Sequence, residues 1–143
     1  NEARKYNLSD RISFIGESTP SVLDKLYDGS SLFVLASHYE GYGIALTEAV
    51  VRGLPIVSTT GGAIPETIPS EVGVLVQPAD HNALAKALKP LLSHDSDEYG
   101  GSGKNRLAKL ASASRNHATS LPDWGQAARQ FAETILDLTP DGT

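Results

Sequence analysis

Two glutamates, Glu40 and Glu48, flank the stretch of this sequence best suited to hold a charged ligand. Between them, Gly41 and Gly43 flank Tyr42, and glycine lets a backbone turn where other residues would be strained. A helix is predicted to begin near Gly43, and the first N–H groups of a helix lack intrahelical partners and carry partial positive charge. The pattern therefore predicts a phosphate site at this helix start.

The two carboxylates bracket this predicted phosphate site. Glu40 precedes the helix, on the loop that follows a predicted strand, and Glu48 lies about one turn inside the helix. A carboxylate can accept two hydrogen bonds from a vicinal diol, so ribose hydroxyls could bind on one side of a diphosphate and sugar hydroxyls on the other. The spacing alone favours the simpler interpretation, a buried turn with two surface glutamates, and both interpretations stay open at this point.

The elements that must position this loop alternate between strands and helices. Short apolar runs predict strands at 11–15, 32–36, 55–58 and 73–76. Helical patterns and caps predict helices at 20–27, 44–51, 81–92, 104–117 and 124–138. This order is typical of an α/β fold, here a Rossmann-like parallel sheet with helices on both faces, in which ligands bind at the carboxyl ends of the strands.

Local signals refine these elements. Pro20 suits the first turn of its helix with Ser18 or Thr19 as N-cap, and Asp80 is expected to cap another helix. The continuous apolar run 32–36 predicts a strand buried on both faces, and one apolar face of the Asp80 helix is expected to be buried. It comprises Ala83, Leu84, Ala87, Leu88, Leu91 and Leu92. Residues 93–102 predict a flexible loop. We expect one lobe over residues 1–138 and a frayed tail at 139–143.

Composition limits the class of protein. The 143 residues are 40% apolar and 20% charged, which is ordinary for one globular domain. Without cysteine there are no disulfides or thiolate metal sites, which fits a reducing compartment. A net charge of −5 disfavours nucleic-acid binding, and no apolar run approaches the roughly 20 residues of a membrane span. The chain begins Asn-Glu-Ala and contains no methionine, so we expect a fragment of a longer protein.

The stretch from Glu40 to Glu66 reads EGYGIALTEAVVRGLPIVSTTGGAIPE. It contains an E-x7-E motif and resembles retaining glycosyltransferases of group 1 (family 4), which include mannosyl-, glucosyl- and sucrose-phosphate-type synthases. The resemblance extends over most of residues 11–93, including the GVLVQPAD segment at 73–80, and more weakly to the helix that begins at Trp124. Agreement of this length is far more specific than the E-x7-E spacing alone.

The resemblance implies the C-terminal, donor-binding lobe of a GT-B enzyme, which has two Rossmann-like lobes. Such an enzyme would transfer a hexose from a nucleotide diphosphate sugar to an acceptor with retention, and the donor would be a substrate. No cofactor and no metal are expected. The partner of this lobe would be the N-terminal, acceptor-binding lobe of the same parent chain. We expect the parent in the cytoplasm or peripheral to the inner membrane.

The resemblance also implies a role for each motif residue. Glu48 would hold the ribose hydroxyls, and Glu40 would contact the transferred sugar near its reacting carbon, either as nucleophile or, as we favour, as a positioning and electrostatic group. The diphosphate would be bound by backbone N–H groups around Gly41, Tyr42, Gly43 and Ile44. The loop of Gly16, Glu17 and Ser18 would lie near the base, while His38 would contact the ligand or fix the loop.

One departure from the family concerns charge. The family carries an Arg and a Lys upstream of the first strand seen here, and they neutralise the diphosphate. No pair in this chain matches them, because Arg4-Lys5 reads as the end of the preceding helix. We therefore expect reduced donor affinity and no transfer by this chain alone.

Other candidates have simpler explanations. Glu66 is expected to cap a short helix, with ligand contact as the lesser alternative. Gly61 and Gly62 are expected to form a tight turn, although they could also let substrate approach. Trp124 is expected to anchor its helix by packing. The GGSGKN run at 100–105 fails as a phosphate loop because no strand precedes it and Asn replaces Ser or Thr. Surface positions are expected for His81, His94 and His117.

Three other functions compete with this interpretation. A sugar-nucleotide epimerase lobe would not carry this E-x7-E segment followed by Gly-Gly-Ala-Ile-Pro-Glu. A signalling receiver domain needs a phosphoacceptor Asp after a central strand, where this chain has Ser37-His38. A degenerate lobe kept for nucleotide-sugar or protein binding stays open, although the intact motif glutamates argue against it.

Overall fold

The computed structural model describes residues 2–93, 103–122 and 124–138. The chain divides into two compact units, residues 1–30 and 31–143. The smaller unit contains helix α1 (Glu2–Lys5), a 3₁₀ turn (Ser9–Arg11) and helix α2 (Pro20–Asp28). The predicted start of α2 at Pro20 is confirmed. Thr19 occupies the N-cap position, but its hydroxyl lies 3.2 Å from that of Ser21 and does not cap a backbone N–H.

Strands and helices alternate in the larger unit. In chain order they are β1 (Phe33–Leu35), α3 (Ile44–Val51), β2 (Ile56–Thr59), α4 (Ile64–Thr67), β3 (Gly73–Val76), α5 (His81–Leu92), α6 (Gly103–Ala118) and α7 (Trp124–Leu138). The three strands are parallel in the order β1-β2-β3. All four residues of β2 are buried, so both faces of the central strand are covered. The prediction of an α/β, Rossmann-like parallel sheet is confirmed.

The strand predicted at residues 11–15 is wrong. Arg11 ends the 3₁₀ turn, and although the backbone of Ile12 is extended, residues 12–16 pair with no strand in the described chain. Phe14 and Ile15 are largely exposed. An apolar run becomes a strand only where a neighbour completes its hydrogen-bond ladder. Gly16 does turn the chain where the pattern placed the end of the run, with a φ of 71°.

The first observed strand is shorter and more exposed than predicted. It spans Phe33–Leu35 rather than 32–36, and Val34 is 42% exposed, so it is not buried on both faces. In the described sheet β1 is an edge strand that pairs with β2 alone. Elements that cover the faces of a sheet cover its edge less completely than its centre, which explains the difference.

Helix α5 begins as predicted, because a side-chain oxygen of Asp80 accepts a hydrogen bond from the Ala83 N–H at 2.8 Å. Its predicted apolar face is buried or half-buried except at Leu92, which is exposed. Helix α6 is attached to the start of β2 through Ser114. This fully buried side chain donates a hydrogen bond to the Leu54 carbonyl at 2.8 Å.

Helix α7 has the predicted bounds, but residues 125–137 are all exposed, Phe131 among them. The side chain of Trp124, the loop at 94–102, His94 and the tail from 139 lie outside the described residues. No helix in the described ranges is long and apolar enough to cross a membrane.

Candidate functional site

The motif loop between β1 and α3 is held against the segment that follows β2. Glu40 forms a parallel bridge with Gly62. Its N–H donates to the Gly61 carbonyl at 3.3 Å, and its carbonyl accepts from the Ala63 N–H at 2.9 Å. One turn later, the Thr67 hydroxyl lies 3.2 Å from the Ala63 carbonyl and 3.3 Å from the Tyr42 carbonyl, and its single proton is shared between these two acceptors. The carboxyl ends of two neighbouring strands therefore fix the backbone on which Glu40 lies.

Gly61 and Gly62 make this close approach possible. A Cβ on Gly61 would lie 2.3 Å from the His38 carbonyl oxygen, and a Cβ on Gly62 would lie 2.2 Å from the Glu40 carbonyl oxygen. Gly62 also has a φ of 67°, a conformation that residues with a side chain rarely adopt. The predicted tight turn is thus better described as a glycine platform for the motif loop.

The carboxylate of Glu40 is oriented by a hydroxyl. Ser37 donates to Glu40 Oε1 at 2.7 Å, and the carbonyl of Ser37 accepts a hydrogen bond from Thr59 Oγ1 at 2.5 Å. Glu40 as a whole is half-buried, and the protein engages one of its two carboxylate oxygens through Ser37. The sequence interpretation missed Ser37, Thr59 and Thr67. The available signal was the presence of hydroxyl residues directly after β1, at the end of β2 and in α4.

The start of α3 presents backbone donors as predicted. Gly43 is its N-cap in the left-handed conformation, with φ 77° and ψ 45°. The Gly43 carbonyl accepts hydrogen bonds from the N–H groups of Leu46 and Thr47 at 2.9 and 3.1 Å. Within the described residues, the N–H groups of Gly43 and Ile44 have no protein acceptor. They are donors at the positive end of a helix and can bind an anion.

Four motif positions border these donors. Glu48 is the fifth residue of α3 and is half-buried, while Gly41 and Tyr42 on the loop and Ile44 at the helix start are exposed. Gly43 itself is buried, whereas the side chains of its neighbours Tyr42 and Ile44 are exposed. Glu40 and Glu48 flank the donors along the chain, and their roles as ligand-binding groups stay predictions.

His38 is exposed and lines a small recess where the three strands end. The recess has a volume of about 70 Å³, and Thr59, Asp80 and His81 also contribute to its wall. His81 is exposed, as predicted, whereas His117 is half-buried. The sequence did not predict that Asp80 and His81 line this recess, and the Asp80 side chain there is engaged as the cap of α5.

The loop of Gly16, Glu17 and Ser18 belongs to the smaller unit, and its proposed contact with the base stays a prediction. Glu66 lies exposed in the first turn of α4, where no side chain caps the helix. In the described parts of the chain, no three His, Asp or Glu side chains are grouped to hold a metal ion.

Comparison with known proteins gives the family. The sequence profile described as Glycosyl transferases group 1 matches residues 1–116. The chain is 29% identical to glycogen synthase of Mycobacterium tuberculosis over 136 residues. This match covers 94% of this chain and 31% of that protein. It is 32% identical over 137 residues to the lipopolysaccharide core mannosyltransferase LpsB of Rhizobium meliloti. This match covers 94% of this chain and 36% of the relative. The chain thus spans about a third of the length of these relatives.

Solved structures share the fold. Sucrose-phosphate synthase from Thermosynechococcus elongatus superposes with a TM-score of 0.77 at 30% identity, over 96% of this chain and 32% of that one. Anabaena HepE in complex with UDP-glucose gives a TM-score of 0.76 at 23% identity, over 95% of this chain and 35% of that one. The parallel sheet is therefore the Rossmann-like sheet of a GT-B lobe, and the chain belongs to the glycosyl transferases group 1 family.

Proposed function

We propose that this chain is the donor-binding lobe of a longer, retaining glycosyltransferase that transfers a hexose from a nucleotide diphosphate sugar. The observation that supports this most is the start of α3, where the N–H groups of Gly43 and Ile44 lie between Glu40 and Glu48 along the chain and have no acceptor among the residues that the structure describes. Two carboxylates and a helix start match the diols and the diphosphate of such a donor.

In this proposal the N–H groups stabilise the negative charge that develops on the leaving diphosphate, which is where preorganised donors contribute most to catalysis. Glu48 binds the ribose hydroxyls. Glu40, held by Ser37, orients the transferred sugar and stabilises positive charge near its reacting carbon rather than forming a bond to it. The N-terminal lobe of the parent protein would supply the acceptor site, so this chain alone binds donor without transferring sugar.

A binding experiment can identify the nucleotide base of the donor. HepE, whose structure contains UDP-glucose, is 23% identical and shows the shared fold alone, but it makes UDP and UDP-glucose reasonable first probes beside GDP and ADP. A backbone-amide NMR titration of the 143-residue chain should shift Gly43, Ile44 and Glu48 with one base preferred. Shifts spread evenly over the surface, or no shifts at millimolar ligand, would contradict donor binding by this chain.

The assignment of Glu48 has its own test. Glu48→Ala should weaken nucleotide binding by about 1.5–3 kcal/mol, the usual cost of removing a charged hydrogen-bond partner. Glu71→Ala is the control, because Glu71 is an exposed glutamate before β3, at the opposite edge of the sheet. Equal nucleotide affinity in the two variants would remove Glu48 from the site.

A further inference from the structure

We propose that a second site, at the amino-terminal edge of the sheet, binds an amphiphile with one acyl chain and an anionic head. The site is a cavity of about 480 Å³ between α5 and α6, open to solvent on one side. This volume lies within the range of about 300–1,000 Å³ that is usual for small-molecule sites. The proposal is independent of the donor site.

The wall of the cavity is built from two facing helix stripes. On α6 the residues at 106, 109, 110 and 113 line it, and on α5 those at 87, 90 and 91 do so. These are the spacings that place side chains on one face of a helix. Val74 of β3 contributes from the sheet, and the wall is almost entirely carbon.

The cavity persists because two of its lining side chains are small and α6 is held in place beside them. Ala87 of α5 and Ala113 of α6 are among its lining residues. The neighbouring Ser114 is fully buried and bonded to the Leu54 carbonyl, which fixes the position of α6. Since α6 also packs on α3 and α5, it cannot move inward to fill the space without breaking these contacts.

The distribution of charge selects the ligand. A carbon-lined interior disfavours sugars and nucleotides, because their polar groups would lose hydrogen bonds to water without replacement. At the rim, Lys109 is exposed, Arg106 is half-buried, and Glu71 is exposed and accepts a hydrogen bond from Ser70 at 3.3 Å. The Lys109 ammonium is exposed, while the Glu71 carboxylate already accepts a hydrogen bond from Ser70, so these two side chains favour an anionic head at Lys109 above an apolar chain inside.

The cavity and the motif loop lie at opposite ends of the parallel strands. Ser70 and Glu71 precede β3, whereas Glu40 and Gly43 follow the carboxyl end of β1. A ligand in the cavity would therefore not compete with a nucleotide at the start of α3, and each site can be tested without the other.

The test compares three probes that share an eight-carbon chain: octanoate, octanol and octyltrimethylammonium. Methyl NMR signals of Val74, Leu91 and Leu110 report on the cavity during each titration, below the micelle concentration. Octanoate should bind saturably and about two- to five-fold more tightly than octanol, the range of an exposed ion pair, and the ammonium should bind weakest. No saturable shift, or equal affinity for octanoate and the ammonium, would overturn the proposal.

Two pairs of variants complete the test. Ala113→Leu should lower octanoate affinity at least tenfold, whereas Ala108→Leu, the same change on the exposed side of α6, should leave it unchanged. Ala87→Leu replaces Ala113→Leu if that variant does not fold. Lys109→Ala should reduce octanoate affinity to that of octanol, while Lys104→Ala should not. Octanoate binding that survives filling of the cavity would overturn the proposal.

Discussion

Small residues serve opposite purposes at the carboxyl ends and at the amino ends of the parallel strands, which form the carboxyl edge and the amino edge of the sheet. At the carboxyl edge, Gly61 and Gly62 let two backbones meet so closely that a Cβ would lie 2.3 and 2.2 Å from carbonyl oxygens. At the amino edge, Ala87 and Ala113 border empty volume. A small residue at the first edge removes an obstacle to contact, and at the second it leaves room. Added atoms should therefore destabilise one edge and not the other.

The largest effect is expected for Gly62→Ala. The new methyl group would meet the Glu40 carbonyl, and the φ of 67° is costly for alanine. The left-handed conformation and the overpacking together should lower the free energy of unfolding by about 2–5 kcal/mol, measured by urea denaturation.

Gly16→Ala is the matched control for that variant. Gly16 has a similar φ of 71°, but a Cβ there meets nothing within 4 Å. It should cost about 1–2 kcal/mol, from backbone conformation alone. If both alanine variants lose the same amount, the close contact with Glu40 contributes nothing and the motif loop is not held as described.

The next effect concerns the bond that keeps α6 in place beside the cavity. Ser114→Ala leaves the buried Leu54 carbonyl without the donor 2.8 Å away, which should cost about 1–3 kcal/mol of unfolding free energy. Ser112→Ala, on the exposed side of α6, should change stability by less than about 0.5 kcal/mol. A loss of similar size in both variants would mean that helix propensity, not the buried bond, is being measured.

Most of the larger unit could be predicted from sequence because each of its strands has a neighbour nearby along the chain. Gly73–Val76 and Ile44–Val51 were predicted with their observed bounds. Residues 11–15 have the same apolar pattern but no strand beside them in the described chain. The sequence of one segment does not reveal whether a neighbouring strand will complete its hydrogen bonds. The face of α7 shows the same limit, since a period of 3.6 residues indicates an apolar stripe but not what covers it.

The site could be predicted as far as the helix start and the two glutamates. Glycines before α3 and the N–H groups it exposes follow from local rules, and Gly43 behaves as these rules require. The bond from Ser37 to Glu40 and the platform of Gly61 and Gly62 could not be predicted, because both depend on how two separate loops meet. Spacing along a chain does not encode such contacts.

A smaller effect should distinguish the two edges, because each of them has a serine that donates a hydrogen bond to a glutamate. Ser37 donates to Glu40 at 2.7 Å, and Ser70 donates to Glu71 at 3.3 Å. If Glu40 orients the sugar as proposed, Ser37→Ala should weaken UDP-glucose binding by about 0.5–1.5 kcal/mol and leave UDP binding unchanged. Ser70→Ala should alter neither. An equal loss for UDP and UDP-glucose would show that Ser37 supports the loop as a whole rather than the carboxylate.

The smallest effect has the opposite sign to the first. Ala113→Leu adds apolar atoms where the structure has space, so the free energy of unfolding should rise by about 0.5 kcal/mol, the low end for cavity filling because this cavity is open to solvent. Ala108→Leu adds the same atoms on the exposed side of α6 and should change stability little. A loss of more than about 1 kcal/mol for Ala113→Leu would indicate overpacking. The amino edge would then be as intolerant of added atoms as Gly62, and the contrast between the two edges would fail.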